Sequence, residues 1–216
     1  MNLVNELQVS AERDDVLTVL RKTKRLASKL GRQDIGDWLR SELEGYTDKK
    51  SVPDYRQVRT TYVMKTNGYV PAGYGMVRDG LQDLNAFSDM APTLPVTDPI
   101  SSVLAWIESM STEGHSVFLS VNRAMKSDAY IRQHVNPMFS EQVSFLLRMN
   151  DSQIKGIPEQ IKDRVLDWAC ALEQAGVQGD GMSFDEKEKR IANAITFNIS
   201  HSQIEQLNNM GTNHKG

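Results

Sequence analysis

Apolar residues recur at steps of three and four from about Asp14 to Leu30: Val16, Leu20, Thr23, Ala27 and Leu30 form one line, widened by Val19 and Leu26. That spacing predicts an amphipathic helix. Gly31 suits its C-terminal stop, and a second set, Ile35, Trp38, Leu39 and Leu43, begins at once behind Asp34, a residue able to cap a new helix. Two helices joined by a tight turn follow, and Gly45 ends the second. After Pro53 the period changes to two: Val58, Thr60, Tyr62 and Met64 alternate with Gln57, Arg59, Thr61 and Val63, the signature of a strand. The stretch from Thr66 to Pro99 holds four of the seven prolines and four of the fourteen glycines and reads as loops with short strands around Met76 and Leu84.

Further along, Pro99 launches a helix over "ISSVLAWIESM", "HSVFLSV" reads as a strand ended by Asn122, and Arg123 to His134 fits a helix closed by Pro137. Val143, Phe145, Leu147 and Met149 alternate cleanly, a strong strand pattern. Asp151 or Ser152 then caps a helix from Gln153 to Gln174, with Ile161, Val165, Trp168 or Ala169, and Leu172 on its apolar face and Pro158 dividing an entry turn from the helix proper. Ser183 and Glu186 have the spacing of a capping box before a last short helix. The pattern predicts an α+β fold: an N-terminal helical hairpin and a long C-terminal helix packed on a small, mainly antiparallel sheet. One globular domain is expected over residues 1–197, with 198–216 as a polar tail or tether.

Composition narrows the classes. A formal charge of -3 and 25% charged residues exclude a surface that is basic throughout, so nucleic acid would need a local patch. The single cysteine, Cys170, sits in an apolar run and cannot form an internal disulfide, in keeping with a reducing cytoplasm. The N-terminus has no secretory pattern and no run reaches the ~18 apolar residues of a membrane span. A cytoplasmic chain without membrane contact is the expectation.

The block from Leu26 to Arg56, "LASKLGRQDIGDWLRSELEGY…VPDYR", resembles the opening of the bacterial AbiTii family, an abortive-infection-associated domain linked with defence against phage. A second block, Asp151 to Ala192, resembles the closing helix of that family. Trp38, Glu42, Leu43, Gly45, Tyr46, Pro53, Tyr55, Arg56, Trp168 and Glu173 carry the likeness. The resemblance implies a part in antiphage defence, as toxin or effector, and a partner protein from a defence cassette; it names no reaction. Members often precede a C-terminal module, which this chain is expected to lack.

Two constellations bear on function. Trp38, Glu42 and Tyr46 are spaced by one helical turn, and Asp54, Tyr55 and Arg56 follow. A buried Arg56 needs a carboxylate, which Glu42 or Asp54 can supply. The group reads either as a structural clamp or as an anion pocket with Arg56 on phosphate and Tyr55 as a stacking platform. Arg21, Arg25, Lys29 and Arg32 line one side of the first helix, flanked by Lys22 and Lys24, and no acid stands between Asp15 and Asp34. Such a row can follow a phosphate backbone or meet an acidic surface.

Catalytic and metal patterns are weak. His115, His134, His201 and His214 lack metal-ligand spacing, so no metal and no cofactor is expected. Arg132 and His134, with one residue between them, are too close together for a ribonuclease helix that sets an arginine a few residues before its histidine, and Pro53-Asp54 with Asp185-Glu186-Lys187 is a poor metal-nuclease pattern. Two readings result: a toxin or effector that engages nucleic acid or a nucleotide, or a non-enzymatic sensing or scaffolding module that forms homo-oligomers or docks a partner.

Overall fold

In a computed structural model of the chain, the structure describes residues 2–66, 69–72, 75–78, 80–121, 126–134, 143–179 and 183–199. The readings that fall on Asn122, residues 123–125, Pro137, His201, His214 and the tail from residue 200 lie outside the described residues. The architecture is α+β, and the chain divides into two compact units, residues 1–56, 97–105 and 155–216 in one and residues 57–96 and 106–154 in the other.

The first unit is helical. It opens with α1, Leu3–Arg13, which the hydropathy pattern did not announce. Its buried stripe, Leu3, Val4, Leu7, Ser10 and Ala11, ends on small side chains, so its helical period is faint in the sequence. Asn2 caps it, accepting from Asn5 N at 2.8 Å. Next come α2, Val16–Leu30, and α3, Gln33–Glu44, with Asp15 capping α2 and Gly31 ending it at φ +73°. All seven predicted apolar positions of α2 are buried. Asp34 does not cap α3. Arg32 occupies the cap position and grips the Asp34 carboxylate with Nε at 2.8 Å and Nη2 at 2.6 Å, leaving that carboxylate inside the first turn.

The long helix α6, Asp151–Gln174, begins one turn before the unit boundary and runs into the helical unit. Asn150 caps it, accepting from Gln153 N at 3.0 Å. The helix passes through Pro158 without a break, although the proline supplies no N–H to the carbonyl one turn back. The last helix, α7, Glu186–Ala194, is capped by Asp185 with Glu188 as its partner, two residues later than the predicted box. Phe184 accounts for the shift: it is buried, and its ring lies so close to Gly179 that a Cβ there would meet it at 2.6 Å. That contact holds residue 184 outside the helix. Glu188 fastens the same loop by accepting from the N–H groups of Gln178, Gly179 and Asp185 at 2.9–3.0 Å.

The second unit carries the sheet. Strand β1, Gln57–Thr66, is followed by the hairpin β2, Tyr69–Ala72, and β3, Gly75–Arg78, then by β4, Leu81–Asp83, and β5, Thr93–Pro95. After α4, Ile100–Thr112, come β6, Phe118–Ser120, helix α5, Lys126–Arg132, and β7, Val143–Met149. The main sheet is antiparallel with order β4-β1-β7-β6, and β5 also pairs with β1. Register sets Tyr62 opposite Leu147 and Met64 opposite Phe145, so the alternating residues of both strands share one face. On that face Tyr62, Val121, Ile131, Val143, Phe145 and Leu147 form the core of the unit.

Candidate functional site

Helix α3 ends where the clustered residues begin. Its buried stripe runs Ile35, Trp38, Leu39 and Glu42, so a glutamate occupies a core position at the last turn. Gly45 ends the helix at φ +97°, and Tyr46 turns back inward with its N–H donating to Thr97 O at 2.8 Å. A short 3-10 turn, Asp54–Arg56, then brings Tyr55 and Arg56 to the same place.

Glu42 and Arg56 are both 0% exposed. Arg56 Nη2 donates to Glu42 Oε2 at 2.6 Å, and Nε lies 3.1 and 3.2 Å from the two carboxylate oxygens. Arg56 Nη1 donates to Asp98 O at 2.9 Å. On the other side Glu42 Oε1 accepts from the hydroxyls of Tyr46 at 2.5 Å and Tyr55 at 2.6 Å, and Tyr55 Oη in turn accepts from Trp38 Nε1 at 2.9 Å. Each charged oxygen has a donor and the charge has a counter-charge, which is the condition for burying such a pair. Asp54 stays exposed and takes no part. Burial, reinforced by the Glu42 charge, pushes both tyrosine phenols far above their ordinary range, so both remain protonated donors.

Two further buried arginines matter: Arg164, which the sequence left unassigned, and Arg32, which the sequence placed in the basic row of α2. Arg164, 4% exposed, stacks on the Tyr55 ring at 4.5 Å and donates to Gln160 O, Gln160 Oε1 and Ile199 O. Arg32, 6% exposed, donates to the carbonyls of Ala192 and Ile195. Arg164 left a trace: it stands one turn before Trp168 on the apolar stripe of α6, where a charge must find partners inside. For Arg32 the inward turn had no sequence signal, since beside Asp34 its partners are carbonyls more than 150 residues away in the chain.

The predicted basic row divides. Arg21, Lys24 and Arg25 are exposed on α2, Lys29 is half-buried, and Arg32 is withdrawn into the contacts just described. Lys22 pairs with Asp14 at 2.9 Å. Between α2 and α3 a groove of about 310 Å³ is lined by Lys24, Ser28, Gly31, Gly36, Arg40 and Glu44, and Arg40 pairs with Asp37 at 3.4 Å. Cys170 is half-buried, with Gln8 Nε2 3.8 Å from its sulfur. Among the described residues no group of His, Cys, Asp and Glu is disposed to hold a metal, and no helix is long and apolar enough to cross a membrane.

Neither the curated proteins nor the solved structures give a significant match to the chain. The AbiTii family model matches residues 2–197, a span that includes the Glu42–Arg56 cluster, the α2 row and the sheet. The chain belongs to the AbiTii family, a membership that suggests abortive-infection antiphage defence.

Proposed function

We propose that the protein serves abortive-infection defence as a non-enzymatic docking module that engages an acidic partner protein through α2. The observation that carries this reading is the exposure of Arg21, Lys24 and Arg25 along one helix, with no acid between Asp15 and Asp34 to offset them locally. Such a surface complements acidic side chains and steers their approach. The Glu42–Arg56 cluster supports the reading from the other side. Its carboxylate and guanidinium are spent on each other, so it works as a fastening for α3 and the turn after it, not as a place where substrate sits.

The same cations favour a second reading, an effector that binds nucleic acid along a phosphate backbone. Charge reversal in Arg21→Glu/Lys24→Glu separates the two. The double variant is expected to melt within a few degrees of the parent while losing protection in a phage plaque assay. A gel shift at low salt that the parent gives and the variant loses would install the nucleic-acid reading. Undiminished protection by the variant would remove α2 from both readings. Induction without phage tests the toxin role: growth arrest that survives the charge reversal would place the activity elsewhere.

A further inference from the structure

The residues after α7 are held as a groove holds a peptide. Residues 195–199 have no regular secondary structure and are secured from both ends. Arg32 Nη1 donates to the carbonyls of Ala192 and Ile195 at 2.7 and 2.8 Å, and Arg164 Nε donates to Ile199 O at 2.9 Å. Between them Phe197, 8% exposed, enters a slot between two indoles, its ring centroid 4.8 Å from Trp38 and 5.9 Å from Trp168. Main-chain carbonyls captured by fixed donors, with one aromatic anchor in a pocket, are the elements by which extended segments are recognised. The Ala192 carbonyl belongs to α7; the contacts to Ile195, Phe197 and Ile199 are made by the strap itself.

The strap fits its slot imperfectly. Trp168 is 2% exposed, yet its Nε1–H has no acceptor among the described residues, and Asn198 Oδ1, next in sequence to the anchor, is buried without a donor. Native structures seldom leave such atoms unpaired, so an occupant that offers the Trp168 N–H an acceptor gains a bond the strap does not make. The charge is mismatched as well. The partners of Arg164 among the described residues are the amide and carbonyls of Gln160 and Ile199 and the Tyr55 ring, all uncharged. A buried guanidinium in that setting gains most from a carboxylate.

We infer that the Trp38–Trp168 slot is a peptide-binding site, filled in cis by the strap. In trans it takes an extended partner segment that carries an aromatic residue followed two positions later by an acidic one. This inference stands apart from the α2 surface. The strap then acts as a resident competitor, which a matched segment displaces.

The test uses the full chain and two labelled, C-terminally amidated peptides, one copying residues 192–199 and one with glutamate in place of the final isoleucine. In fluorescence anisotropy Phe197→Ala, whose slot is vacated, is expected to bind the glutamate peptide about tenfold or more tighter than the parent chain does, since only the parent carries a competitor. Phe197→Leu, which keeps an apolar plug and guards against loss of folding, falls between the two. The glutamate peptide outbinds the isoleucine peptide, and Arg164→Gln in the Phe197→Ala background abolishes that preference. Absence of binding to folded Phe197→Ala or Phe197→Leu overturns the inference. So does equal affinity in parent and variants, or a glutamate preference that survives Arg164→Gln.

Discussion

Removing one member of the buried pair is the most demanding test of the clamp. Arg56→Met keeps a side chain of comparable length but strips Glu42 of its counter-charge and of three guanidinium contacts between 2.6 and 3.2 Å. Because both residues are 0% exposed, water does not screen the carboxylate left behind. Breaking a pair so enclosed costs about 3–5 kcal/mol. For a chain of this size that corresponds to a fall in Tm of about 6–20 °C. Glu42→Gln keeps an acceptor for Tyr46 and Tyr55 but orphans the Arg56 charge, and is expected to cost a similar amount. The double variant Glu42→Gln/Arg56→Met removes both charges together, so its loss should fall short of the sum of the single losses by about 1–3 kcal/mol. Urea unfolding followed by tryptophan fluorescence, with circular dichroism as a second probe, measures all four corners of the cycle. A single variant within about 1 kcal/mol of the parent, or a strictly additive double variant, would refute the clamp.

The remaining expectations concern pH and backbone. Tyr46 and Tyr55 have raised folded pKa values, so their contribution is complete below the unfolded tyrosine pKa of about 10 and drains away as pH rises above it, each by about 1.4 kcal/mol per pH unit. Tyr55→Phe should flatten the alkaline loss of stability by one proton; an unchanged slope would contradict the inward-facing hydroxyl. Burial works to raise the Glu188 pKa, but the N–H groups of Gly179, Gln178 and Asp185 outweigh it, and the net shift is downward. Its stabilisation is therefore present above the ordinary glutamate range and lost as pH falls through the depressed folded value. Glu188→Gln should make the urea midpoint less sensitive to acid between about pH 5 and 3, and an identical profile would count against the box. Gly45→Ala places a Cβ 2.9 Å from Thr97 O at φ +97°, whereas Gly31→Ala at φ +73° meets open space. The Gly31 substitution should cost about 1–2 kcal/mol and the Gly45 substitution clearly more; equal melting temperatures would show that residues 97–99 yield freely.

What the sequence disclosed follows the range of the interactions. The stripes of α2 and α3 and the alternation in β1 and β7 were legible because a face that meets the interior leaves its period in neighbouring residues. The pairing of Arg56 with Glu42 is one of two options in the sequence, because a buried arginine needs a carboxylate and two acids stand near it. Asp54 was the other option, and the choice depended on how the turn at 54–56 aims three adjacent side chains. For α7, two acid-bearing boxes overlap in the sequence at a spacing of two residues. Only the burial of Phe184 over Gly179 selects between them. The expected boundary at 197/198 cuts through the strap, since Asn198 opens a polar run while the anchoring of residues 195–199 depends on indoles and guanidiniums far away in the chain.

The three tryptophans make the two units separately observable. Trp38 and Trp168 belong to the helical unit, where both rings touch Phe197, while Trp106 is the first residue of the returning segment of the sheet unit. A Trp106→Phe chain therefore emits only from the helices, and Trp38→Phe/Trp168→Phe emits only from the sheet unit. With those two proteins, order of melting, quenching by a bound segment and local response to charge reversal can each be assigned to its own half of the chain without any attached dye.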